Sequence, residues 1–186
     1  MATIGKDYPM KRSICAVAGV LGLAAVTQAQ AHVTLSQTTA PSGSSFIAFF
    51  RVTHGCAGWA TTALRVDIPA DVLDAKPQPK PGWSLKVDRA GGPSDGDEQG
   101  RVIAITWSGG PLDDTQWDQF GLSARLPKRT GVVAFPMVQT CQQGEARWTE
   151  VPAPGQTAHL AHPAPTVTLG PAGGGMDMSM PMPMGH

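Results

Sequence analysis

The chain has 186 residues and is formally neutral, with 14 Lys+Arg against 14 Asp+Glu. Nucleic-acid binding is excluded as a leading role, because it wants a basic stripe that this sequence lacks. With 22 Gly, 17 Pro, many Thr and Val and few helix-forming runs, the composition points to an all-β domain rather than a helical one.

Residues 1–31 read as a secretory signal. Lys11 and Arg12 form the positive end, an apolar run follows from Ser13 to Val26, and Ala29 and Ala31 make a small-x-small cleavage site. That run is too short to span a bilayer. Cleavage after Ala31 makes His32 the first mature residue and leaves 155 residues, enough for one core-bearing domain and a tail, with a net charge of about −2. A secreted or periplasmic location is expected.

Strand patterns then recur. The stretch from His32 to Gln37 alternates, and Ala40-Pro-Ser-Gly is a turn. Ser45 to Val52 is a Phe-rich core strand, and His54-Gly-Cys-Ala-Gly58 is a loop. Thr61 to Ile68 is a strand, and the prolines between Lys76 and Trp83 predict an edge or extended connector. Trp83 to Val87 is a short strand, and Gly91 to Gly100 a loop. Arg101 to Trp107 is a strand ending in a turn at Gly109-Gly-Pro, and Gln119 to Leu126 is another after an acidic connection. Gly131 to Cys141 is a strand whose Pro136 implies an edge or bulge, and Arg147 to Val151 is the last. Seven or eight short strands at this spacing predict a single β-sandwich over residues 32–152. From Pro152 to His186 the pattern dissolves into a flexible Pro/Gly/Met-rich tail, with one weak strand at Thr166 to Leu169.

Four features bear chemistry. His32, as an N-terminus, offers its α-amine and Nδ1 as a chelate that no internal histidine can form. Two such nitrogens suit the tetragonal preference of Cu(II). Cys56 and Cys141, an even pair in an exported chain, read as a disulfide. In the tail, Met176, Met178, Met180, Met182 and Met184 alternate strictly and His186 ends the chain; thioethers are soft ligands that select Cu(I). His159 and His162 lie in the same region and read as linker residues. Of the five tryptophans, Trp83 and Trp107 are core candidates, and Trp148 follows the Cys141 corner. No G-x-S-x-G, HExxH or P-loop is present, and a blue-copper site would need an unpaired Cys.

The segments Ala-His32-Val-Thr, His54-Gly-Cys56, Ile68-Pro, Lys76-Pro-Gln-Pro-Lys-Pro-Gly-Trp83, Trp107-Ser-Gly-Gly-Pro-Leu112, Asp118-Gln-Phe-Gly-Leu122, Phe135-Pro, Gln139-Thr-Cys141 and Gly144-Glu-Ala-Arg-Trp148 resemble the YcnI-like copper-binding family over about residues 32–152. The resemblance implies an immunoglobulin-like or cupredoxin-like β-sandwich, exported or membrane-anchored, with copper import or resistance partners. It implies Cu(II) in a monohistidine brace: the N-terminal amine and Nδ1, a carboxylate oxygen, and a nearby tryptophan. His32 matches the brace and Trp148 the tryptophan. Where the family carries an acid before the Phe, this chain has Gln119. Either Gln119 gives an amide oxygen or Asp118 replaces it, because neighbouring strand side chains point to opposite faces. Glu145 and Glu150 are further candidates. The resemblance also supports the Cys56–Cys141 bridge.

The expected function is non-enzymatic copper trafficking or homeostasis in the periplasm. Cu(II) sits at His32 and Cu(I) at the Met tail, and the metal passes to a membrane copper transporter or another periplasmic chaperone. Two other readings stand beside it. One is a copper-dependent oxidase or oxygenase, which needs a second histidine; His54 is the only other one in the folded part. The other is a plain envelope interaction domain whose tail serves as a metal sponge.

Overall fold

In the computed structural model, residues 33–91, 100–151 and 160–172 are described. His32 and the signal before it, the interior of the 91–100 loop, His159 and the Met-rich tail lie outside them. Every regular element among the described residues is a strand. In chain order these are β1 (Thr34–Leu35), β2 (Thr39–Pro41), β3 (Ser45–Val52), β4 (Thr61–Asp67), β5 (Leu73–Pro77) and β6 (Trp83–Ala90). Then come β7 (Arg101–Leu112), β8 (Asp118–Arg125), β9 (Gly131–Ala134), β10 (Met137–Cys141), β11 (Glu145–Trp148) and β12 (Thr166–Gly170).

Three sheets result: β1-β3-β8-β5, β11-β10-β4-β7-β6 and β2-β12-β9. Alternation on β3 buries Phe46, Ala48, Phe50 and Val52, and on β8 it buries Phe120, Leu122 and Ala124. From the second sheet Leu64, Val66, Ile105, Trp107 and Met137 enter the same core. Contact across the sandwich is aromatic: the Trp107 ring lies 5.7 Å from Phe120, edge on.

Beyond β2, which takes in Ala40 and Pro41 of the expected turn, and the added strand β5, the structure departs from the sequence expectation at three places, each with a local cause. The stretch Gly131 to Cys141 is two strands, not one. Pro136 lacks an N–H and breaks the ladder, so β9 pairs with β12 while β10 moves to β4 in another sheet. The expected turn at Gly109-Gly110-Pro111 lies inside β7, where two residues of β4 (Thr61 to Ala63) span the step from Leu112 to Ser108. This bulge needs positive φ at Gly109 and Gly110, and a Cβ on Gly110 would come within 2.8 Å of the Trp83 ring. Finally, the folded unit does not stop at residue 152. β12 inserts between β2 and β9, parallel to the first and antiparallel to the second, and buries Val167 and Leu169. The short alternation of Thr166 to Leu169 is therefore an interior strand of a sheet. The proline-rich segment behaves as expected, with Leu73–Pro77 on the outside of its sheet.

Candidate metal centre

Cys56 and Cys141 are bonded, with Cα atoms 5.9 Å apart. The bond ties the β3–β4 loop to the end of β10, and the loop is tightened further by the reciprocal backbone bonds of Cys56 and Trp59. Gly55 is required there, because any Cβ would collide with the Trp59 carbonyl. Its N–H donates to Asp114 Oδ1 at 2.7 Å. Asp114 is presented by a turn in which Asp113 Oδ1 accepts from Thr115 N (2.9 Å) and Thr115 Oγ1 (2.6 Å). These bonds hold the Asp113 carboxyl below its ordinary pKa.

His54 is the loop residue this scaffold positions. Its backbone carbonyl accepts from Gln139 Nε2 at 2.8 Å, and the same amide donates to Thr61 Oγ1 at 2.7 Å. Gln139 Oε1 in turn accepts from Trp148 Nε1 at 3.2 Å. Gln139 and Thr61 are fully buried and Trp148 is 2 % exposed, so this polar chain lies inside the protein, where satisfied networks rigidify. The Trp148 ring is flanked by two histidines: His54 at 6.3 Å and His162 at 5.3 Å between centroids, both edge on. His162 N donates to Glu150 Oε2 at 2.9 Å, and its Nδ1 is buried with no hydrogen-bond partner among the described residues. His162 is thus packed against the domain rather than riding on a linker. The clue available in the sequence was the strand alternation four residues further on.

The N-terminal end of β1 lies beside the Val52 end of β3. Thr34 pairs with Arg51 and Leu35 with Phe50, antiparallel. Going back along β1 therefore means going forward along β3, toward Val52 and His54. Val33 is already buried at that end.

The other expected ligands are placed differently. Asp118 Oδ2 bridges to Lys80 Nζ at 2.6 Å, and its Oδ1 accepts from Gln119 N. Gln119 is exposed on β8, across from Arg51. Glu145 pairs with Arg147 at 2.6 Å. Among the described residues no three His, Cys, Asp or Glu form a group able to hold a metal. The corner supplies two imidazoles and an indole, which fits a copper site only when further donors reach it.

The fold and the bridge define a class: an immunoglobulin-like β-sandwich closed by one disulfide. The model of a family described as "Domain of unknown function (DUF1775)" matches residues 32–169. The chain belongs to this family, the one also called YcnI-like. The match begins at His32 and runs through β12, in agreement with the extended folded unit. A crystal structure of an uncharacterised protein from Nocardia farcinica with an immunoglobulin-like fold is similar to the chain at 33 % identity. It has a TM-score of 0.62 and covers 74 % of this chain and 97 % of that one. A non-cellulosomal cohesin from Archaeoglobus fulgidus gives 13 % identity and a TM-score of 0.38, over 74 % and 89 % of the two chains. No curated protein matches.

Proposed function

We propose that the mature protein is an exported copper-binding protein acting in copper trafficking, with Cu(II) held by the α-amine and Nδ1 of His32 beside Trp148. The observation that carries this reading is convergence. Followed backwards from Leu35 to Thr34, β1 leads along β3 toward the corner where His54 and His162 flank Trp148. A free amine near neutral pH loses its proton readily to copper, since its ordinary pKa is about 8. The Met176–Met184 run and His186 serve Cu(I), so one-electron reduction of Cu(II) by an external reductant such as a small thiol would move the metal from nitrogen to thioether donors and give transfer a direction.

The test compares protein beginning at His32 with protein carrying one extra residue before it. Cu(II) titration is followed by quenching of tryptophan fluorescence. Tight stoichiometric binding only by the first is expected; equal binding by both would overturn the reading. One observation favours a second reading, copper-dependent oxygen chemistry: a second histidine, His54, stands at the Trp148 corner. Oxygen consumption with ascorbate, above that of free copper, separates the two.

A further inference from the structure

We propose that the outer edge of β6 pairs with the β6 edge of a second copy of this chain, antiparallel and centred on Val87, so that two molecules share one continuous sheet. β6 has β7 on one side and, among the described residues, no strand on the other. At eight residues it is the longest edge strand described. The phase of the ladder decides what this edge presents. Gly110 N donates to Gly82 O at 3.4 Å, so the hydrogen-bonded pairs with β7 fall at Gly82, Ser84 and Lys86. The N–H and C=O groups of Leu85 and Val87 therefore point away from β7. Trp83 N, in the same phase, is already turned to the Lys80 carbonyl at 3.1 Å. Such an edge is a template for strand addition.

The second support is apolar. Leu85 lies opposite Trp107 on the core side of the sheet, yet it is 40 % exposed. A strand added beyond β6 covers it. Third, the charges choose the partner. On the outer face one row runs Arg65, Thr106, Lys86 across β4, β7 and β6, and the next runs Asp67, Ala104, Asp88. A lysine on an edge ordinarily repels a second edge. A two-fold axis at Val87 instead sets Lys86 against Asp88 of the second copy, and Asp88 against the second copy's Lys86. Each basic row then continues into an acidic one, and symmetry makes the match twice. An axis at Lys86 or at Asp88 would set like charges opposite each other, so the charges select Val87. Lys86 Nζ meets Asp88 Oδ1 of its own chain at 2.9 Å, and its side chain is 73 % exposed, so it can exchange that partner for the one across the axis.

Analytical ultracentrifugation of metal-free protein from His32 onward reads the association. A monomer–dimer equilibrium is expected, with amide exchange at Leu85 and Val87 slowing as the dimer forms. Val87→Pro removes the central N–H at a position that β7 does not use, and should give a monomer. Lys86→Asp and Asp88→Lys should each weaken self-association at least about tenfold, because like charges then meet twice. Mixing these two variants should restore the dimer, since opposite charges meet again in the mixed pair. A thermal melt verifies that each variant folds, and the amide exchange of the unsubstituted protein needs no variant at all. A chain that stays monomeric into the millimolar range would overturn the proposal. So would a dimer that Val87→Pro or Lys86→Asp leaves intact, or charge variants that do not associate on mixing.

Discussion

Gln139→Met tests whether the buried amide is what holds the corner together. Methionine nearly conserves volume, so packing changes cost little and the loss is polar. Three partners lose their bonds: Trp148 Nε1, Thr61 Oγ1 and the His54 carbonyl. His54 is half-buried, so its carbonyl can turn to water. At Trp148 and Thr61, 2 % and 0 % exposed, water cannot take the place of the amide. Each orphaned buried group costs about 1–3 kcal/mol, giving about 2–6 kcal/mol in all, with about 4 as the central figure. For a domain of this size, about 4 kcal/mol lowers Tm by roughly 8–16 °C. Urea unfolding followed by tryptophan fluorescence measures it, and the m-value should stay constant. A Gln139→Met protein within about 1 kcal/mol of the parent would refute the claim that the amide is an obligatory hub. His54→Ala keeps the carbonyl and is expected to lose far less.

Three further outcomes are expected. Replacing Cys56 and Cys141 together by Ala opens a loop of 85 residues and costs about 4–5 kcal/mol in the chain-entropy account, measurable by urea unfolding with the reduced parent as control. Thr115→Ala removes the hydroxyl bond, the larger cause of the depressed Asp113 pKa, and keeps the backbone N–H bond, so an NMR titration should show that carboxyl moving part of the way up toward its ordinary value. Because the folded pKa is depressed, the lost stabilisation is present above the ordinary carboxylate pKa and disappears as pH falls through the folded one; the two proteins should converge in strong acid. Deleting residues 173–186 should remove Cu(I) sites in a competition titration and leave Cu(II) binding at the first residue intact.

Much of the sandwich was legible because its strands alternate strictly. Ser45 to Val52 is assigned to the residue, since Phe46, Ala48, Phe50 and Val52 all face one side. What was hidden depends on partners distant in sequence. Pro136 was read as an edge or bulge, and only the pairing of β9 with β12 makes it a switch between sheets. β12 itself is five residues long and lies beyond a composition change, so local pattern undervalued it. Gln139 shows the same limit at the site. It stood in the sequence as one letter beside Cys141, and its role appears only when Thr61, His54 and Trp148 come from three other segments to meet it. Asp118, prominent in sequence because it neighbours Gln119, is claimed by Lys80 from the proline-rich connector 38 positions earlier.

The corner also explains why an N-terminal histidine would be used at all. His54 sits on a loop fixed by a disulfide, Trp148 on a hairpin fixed by the Gln139 amide, and His162 on a segment fixed by Glu150. These groups pay their ordering entropy during folding, so a metal that binds them has little left to organise. On the proposed reading, the remaining donor is the chain terminus, whose amine would exist only after cleavage at Ala31. On that reading a precursor would fold the corner without acquiring a chelate, and copper capture would begin where the signal is removed. Uncleaved protein should therefore unfold with the same cooperativity as mature protein while its Tm stays indifferent to added Cu(II); the mature protein's Tm should rise with Cu(II) by mass action. Equal copper-induced shifts in both would place the metal away from the terminus.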